Sequence, residues 1–239
     1  MNLFNFYTME PRFEIFSISH IMAIILTFIV GISVYFFRKQ IKGNQKGEKT
    51  FRYSIAFVLS AGEVLLQYWY ITTKSWKVEY GLPLQLCDVS IFMSIILLIL
   101  QSYQIFEVVY FIGIGGALVA IVSPELWLGF PHFRFYHFFI SHAAIILASA
   151  YMVWIQGFKP KLVSLGKMLI FLNVFGAFVF GVNSLVDANY MFISKPTYNN
   201  TFLNHLGPYP WYLISLEGIT LVISILLYLP FGIKKKLSG

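Results

Sequence analysis

The stretch SISHIMAIILTFIVGISVYFFRKQ, residues 17–40, carries an unbroken apolar run that ends in a basic cluster. A bilayer's hydrocarbon core is about 30 Å thick, and a helix rises about 1.5 Å per residue, so a span needs about 20 mostly apolar residues. This run supplies them. Six further apolar stretches follow, at about 52–72, 83–101, 105–122, 135–155, 167–187 and 211–231. The 239 residues are 58% hydrophobic and 11% charged, far from the roughly 25% charge of a soluble globular chain. Water could not solvate such a molecule. The sequence therefore predicts an all-α polytopic membrane protein, residues 1–239 forming one domain of seven transmembrane helices. No cleavable leader is expected, because residues 1–16 are mixed and acidic and the first apolar run is long enough to stay in the membrane.

The 17 Lys and Arg against 10 Asp and Glu could indicate a nucleic-acid partner, but the basic residues lie in short clusters between apolar runs. With seven spans, 12 of the 17 fall on one side: Arg38, Lys39, Lys42, Lys46, Lys49 and Arg52, then Lys159, Lys161 and Lys167, then Lys234, Lys235 and Lys236. The positive-inside rule then sets the N-terminus out and the C-terminus in, as a multi-pass protein of the cytoplasmic membrane. The third connection, near Gln101–Gln104, predicts a tight hairpin of helices three and four. Gly113, Gly116, Ala117 and Ala120 give small-xxx-small spacings, which in lipid serve close helix packing.

Ionisable groups at membrane depth are costly, and each is a functional candidate. In this topology they gather toward the outer side: His20, Cys87, Asp88, His137, His142, Asn183, Asn189, Tyr190 and Glu217, with helix seven re-entering after His205. On helix two Ser60, Glu63, Gln67 and Tyr70 recur at helical spacing and share one face. A polar cavity toward the outer leaflet is the expectation. Gly81-Leu82-Pro83 should turn into a helix with Pro83 at its first position, setting Cys87 early in it, where the helix dipole favours a thiolate. A histidine from the fifth helix, His137 or His142, would complete a Cys-His pair, with Asp88 or Glu63 holding the imidazole. His132, His137 and His142 do not share one helix face, so no metal site is expected; nor is a cofactor, and one cysteine excludes an internal disulfide. Arg134 is suited to grip a phosphate.

The motifs Leu82-Pro83-Leu84-Gln85-Leu86-Cys87-Asp88, Phe130-Pro131-His132-Phe133-Arg134-Phe135, Asn189-Tyr190-Met191 and Gly207-Pro208-Tyr209-Pro210-Trp211-Tyr212 resemble those of the bacterial YwaF-like integral membrane proteins, relatives of the eukaryotic transmembrane protein 164 family. The resemblance implies an acyltransferase that moves a fatty acyl chain between phospholipids through a cysteine and a histidine. By motif position the cysteine is Cys87, and the histidine is assigned to His142 or His137. The pattern departs at Gln85, where the resemblance would put a histidine, so the base must come from another helix. On this reading a phospholipid or lyso-phospholipid is the substrate, with Arg134, His132, Gln67, Asn183, Asn189, Tyr190 and Glu217 as its contacts. Two other classes compete. Glu63, Asp88 and Glu217 could relay protons in a coupled transporter, although no inverted repeat is visible. A non-catalytic accessory protein would use the same polar groups only to lock helices together.

Overall fold

The computed structural model describes residues 4–6, 10–195 and 206–237, without the side chains of 234–237. His205, part of the 188–210 connection and the side chains of Lys234, Lys235 and Lys236 lie outside the described residues. Among these residues there are seven α-helices and no strand: α1 Ile18–Gly43, α2 Gln45–Thr72, α3 Leu86–Leu100, α4 Tyr103–Val122, α5 Phe133–Trp154, α6 Leu162–Val186 and α7 Trp211–Leu237. A short 3-10 turn, Tyr190–Phe192, follows α6. Six helices are long and apolar enough to cross a membrane; α3, with 15 residues, is shorter. It rises about 22 Å.

The residues Arg38 to Arg52, which the sequence sets as a basic loop between the first two spans, are almost wholly helical. Arg38, Lys39 and Lys42 extend α1, Lys46 and Lys49 extend α2, and only Asn44 breaks the helix. Lys, Arg, Gln and Glu are good helix formers, so the chain stays helical beyond its apolar run. Asn44 adopts extended backbone and its Oδ1 caps α2 by accepting from Gly47 N at 3.2 Å.

α4 and α5 form the centre, each with 56% of its apolar window buried, against 11% for α1, α6 and α7. Close approach explains part of the small-residue stripe: a Cβ at Gly113 would stand 3.1 Å from Ile145 Cγ2 on α5. At the basic end, Arg52 Nη1 donates to the carbonyls of Leu98 at 2.7 Å and Ile99 at 3.3 Å, satisfying the C-terminus of α3. Buried Glu107 on α4 accepts from Ser164 Oγ at 2.7 Å and pairs with Lys167, joining α4 to α6. α3 and α4 are joined by the two-residue turn Gln101–Ser102, with Gln101 left-handed at φ 49°.

Candidate functional site

α3 begins three residues later than its proline suggests. Leu84 N donates back to Leu82 O at 2.8 Å, a turn that keeps Pro83 outside the helix. Gln85 is the N-cap, and its backbone N–H donates to Asp88 Oδ2 at 3.1 Å, closing half of a capping box. Cys87 thus occupies the first turn, half-buried, on the side of α3 that meets α5.

On α5, His142 is buried, with 4% of its surface exposed. Its Nδ1 lies 2.7 Å from the carbonyl of Phe138 one turn back, which can only accept, so Nδ1 carries the proton. Nε2 is then a free lone pair, and it faces Cys87 Sγ at 3.1 Å. The Phe138 ring, centred 4.1 Å from the imidazole, packs against it. The thiol therefore donates to a neutral imidazole whose tautomer is fixed by main chain. No carboxylate holds that ring. Asp88 is engaged as the cap of α3, and Glu63 Oε1 accepts from Gln67 Nε2 at 3.0 Å.

A second polar group lies beside this pair, toward the start of α5. Asp88 is within electrostatic reach of Glu63 and Arg134, and Arg134 of both His137 and His142. Arg134 Nη1 sits 3.3 Å from His137 Nδ1. His132 caps α5 by accepting from Arg134 N at 3.1 Å; burial, and secondarily the Arg134 guanidinium, holds its imidazole below the ordinary histidine range against a backbone hydrogen bond with Asn5. Gln67 also donates to Gly81 O at 3.2 Å and accepts from Trp76 Nε1 at 3.2 Å, so it braces the 73–85 segment. His137 is not bonded to Cys87.

The remaining candidates build walls rather than contact the thiol. Asn183 Nδ2 donates to Tyr190 O at 3.0 Å and its Oδ1 accepts from Tyr190 N at 2.9 Å. Tyr190 donates its hydroxyl to Val78 O at 2.6 Å and accepts from Leu82 N at 2.9 Å, while Asn189 Oδ1 accepts from Ser194 and Lys195. Together they pin the 3-10 turn between α6 and the approach to α3. Gln85 completes the pin, its Oε1 accepting from Met191 N at 2.9 Å. The glutamine at the departing motif position thus shapes the site. His20 is fully buried elsewhere, its Nε2 2.8 Å from Ile121 O and its Nδ1 accepting from Phe16 N, fastening α1 to the end of α4.

Two cavities meet at Cys87. One, of about 240 Å³, lies between α4 and α7 and includes Phe111, Gly116, Ala120 and Ile223. The other, of about 670 Å³, runs between α6 and α7 and includes Gln85, Asn173, Met191 and Glu217. Glu217 Oε1 accepts from Asn173 Nδ2 at 2.8 Å across that cleft, and of the expected substrate contacts it is the one that lines either of these two cavities. The described part of the N-terminal segment packs against α2, the start of α5 and the 127–129 segment. Phe6 packs its ring against Trp69, Tyr80 and Trp127, Phe4 O accepts from Trp69 Nε1 at 2.7 Å, and Arg12 bridges to Leu128. Gly129 is required there, because a Cβ would fall 2.6 Å from Arg12 O.

Sequence reasoning passed over Glu107, which has no polar stripe like that of Ser60, Glu63, Gln67 and Tyr70 to mark it, although the cost of a charge within an apolar run is itself a signal. It also gave the α4 glycines to packing ahead of chemistry. Among the described residues no group of three or more His, Cys, Asp and Glu side chains is placed to hold a metal ion. The model of the TMEM164 family matches residues 15–228, nearly the whole chain and all of both cavities. No curated protein and no solved structure matches it.

Proposed function

Because the chain belongs to the TMEM164 family, we propose that it is a membrane-embedded acyltransferase acting on phospholipid acyl chains through Cys87 and His142. The observation that carries this is the 3.1 Å approach of Cys87 Sγ to an imidazole nitrogen that has no proton of its own, at the junction of two largely apolar cavities. Seven spans, including α3, put 12 of the 17 basic residues on one side and the thiol toward the other. The N-terminus is then outside. Because α3 is about 8 Å shorter than the hydrocarbon core, its first turn lies below the outer surface, beneath the irregular 73–85 segment. Irregular backbone at that depth is tolerated where protein covers it or it lines a cavity.

The chemistry runs in two displacements. His142 Nε2 takes the thiol proton, and Cys87 sulfur attacks the ester carbonyl of a donor lipid. The tetrahedral adduct collapses with cleavage of the ester C–O bond, and the imidazolium returns its proton to the departing alkoxide, giving a lyso-lipid and a thioester on Cys87. An acceptor hydroxyl then gives its proton to His142 and attacks the thioester carbonyl; the C–S bond breaks and the thiol is re-formed. The backbone N–H groups of Leu86 and Cys87 precede the first main-chain bond of α3, which Val89 N makes to Gln85 O at 3.1 Å, and so can receive the developing oxyanion.

The test uses purified protein, a phospholipid labelled in its acyl chain and an unlabelled lyso-lipid acceptor. Labelled acyl should appear on the acceptor, and Cys87→Ala should abolish the transfer. Absence of transfer from the parent protein across donors of differing headgroup would overturn the reading.

A further inference from the structure

The glycines of α4 do not all have the same reason to be glycine. A Cβ on Gly113 would press on Ile145 at 3.1 Å and one on Gly115 on Ile223 at 3.2 Å, so both mark helix contacts. At Gly116 the nearest atom is Leu86 Cδ2 at 3.9 Å, and a longer side chain would extend into the cavity between α4 and α7. No helix packing explains this glycine. Glycine weakens a helix, a cost that has an explanation if an apolar ligand uses the space beside it.

We propose that the α4–α7 cavity is an acyl-chain pocket that sets the length of chain presented to Cys87, with Gly116 as a length-determining position. The proposal rests on the transfer reading and adds to it a division of labour between the two cavities. The α4–α7 cavity follows α4 from Phe111 to Ser123, a rise of about 18 Å. Between Phe111 and Ala120 its α4 wall is wholly apolar, which suits methylene groups and excludes a headgroup. The α6–α7 cleft instead carries Gln85, Asn173 and Glu217, groups able to meet glycerol oxygens or a polar head. A lipid straddling Cys87 would lay the chain to be moved along α4 and keep its polar part in the cleft. Thr220 and Phe192, which line both cavities, stand at the divide.

Cys87 is the sole cysteine of the chain, so the cavity can be gauged without relying on turnover. Alkyl methanethiosulfonates of two to sixteen carbons form a mixed disulfide with Cys87 and release methanesulfinate, and labelling is followed by intact-protein mass. With the parent protein, the labelling rate should rise with chain length to an optimum and then fall. In Gly116→Leu the optimum should move to shorter chains, with labelling by the long reagents slowed at least tenfold relative to the two-carbon reagent. If Gly116→Leu does not fold, Ile223→Trp narrows the same cavity from α7 and should give the same shift. An unchanged length profile in a folded variant overturns the pocket, whatever the outcome of the transfer assay. A shifted profile in a protein that transfers no acyl group overturns the enzyme while leaving the pocket.

Discussion

The imidazole of His142 is oriented by a main-chain carbonyl, and this decides what each nearby substitution should do. His142→Ala removes the proposed proton carrier and should slow acyl transfer by about 10²- to 10⁴-fold while leaving the fold intact, as measured by initial rates alongside a thermal melt. Glu63 behaves differently. Its partner is neutral Gln67 rather than a cation, so Glu63→Gln should change stability in detergent by no more than about 1 kcal/mol, and a loss of several kcal/mol would mean a cation pairs with it. Glu107→Ala, by contrast, strands the buried Ser164 hydroxyl and removes its Lys167 pair; as that lysine is half exposed, the expected loss of about 1–3 kcal/mol comes chiefly from the hydroxyl's bond to a charged acceptor. Residue types and spacing pointed to Cys87 and to two histidines. They could not choose between His137 and His142, because the choice depends on the rotation of α5 against α3, which no local pattern encodes.

At the scale of elements, apolar runs made the helices legible because lipid demands about 20 such residues per span. Their ends were less so. The basic residues after the first run were expected in a loop, yet they continue α1 and begin α2, since charged helix formers outside the hydrocarbon cost nothing and only Asn44 interrupts them. The 3-10 turn Tyr190–Phe192 was invisible in the pattern, being held by side-chain bonds from Asn183, far-off Gln85 and Tyr212 rather than by its own propensity. That dependence is testable. Asn183→Ala should free the turn, raising proteolytic cleavage near residues 190–195 and slowing transfer severalfold, because Met191 and Phe192 form a wall of the cleft. Equal cleavage of parent and variant would show that Gln85 and Tyr212 suffice.

For the whole molecule, the distribution of charge and the position of the thiol are one argument, since the same side assignment governs both. In a Cys87→Ser background, a cysteine placed at exposed Lys77 should react with an impermeant maleimide in intact cells, and one at exposed Lys42 only after permeabilisation. The reverse pattern would invert the molecule and put the cavities at the inner leaflet. The placement of apolar runs foretold the membrane and the helix count, whereas the meeting of α3, α4, α5, α6 and α7 at one thiol is a product of packing between segments as far apart in the chain as Leu86 and Ser224. The central claim is that this thiol carries the acyl group. Its most direct test is the intact mass of the protein after brief exposure to a phospholipid without an acceptor. The account predicts an added mass equal to one acyl chain less a hydrogen, located at Cys87 and removed by neutral hydroxylamine. Acyl transfer that proceeds at the parental rate in Cys87→Ala would contradict it.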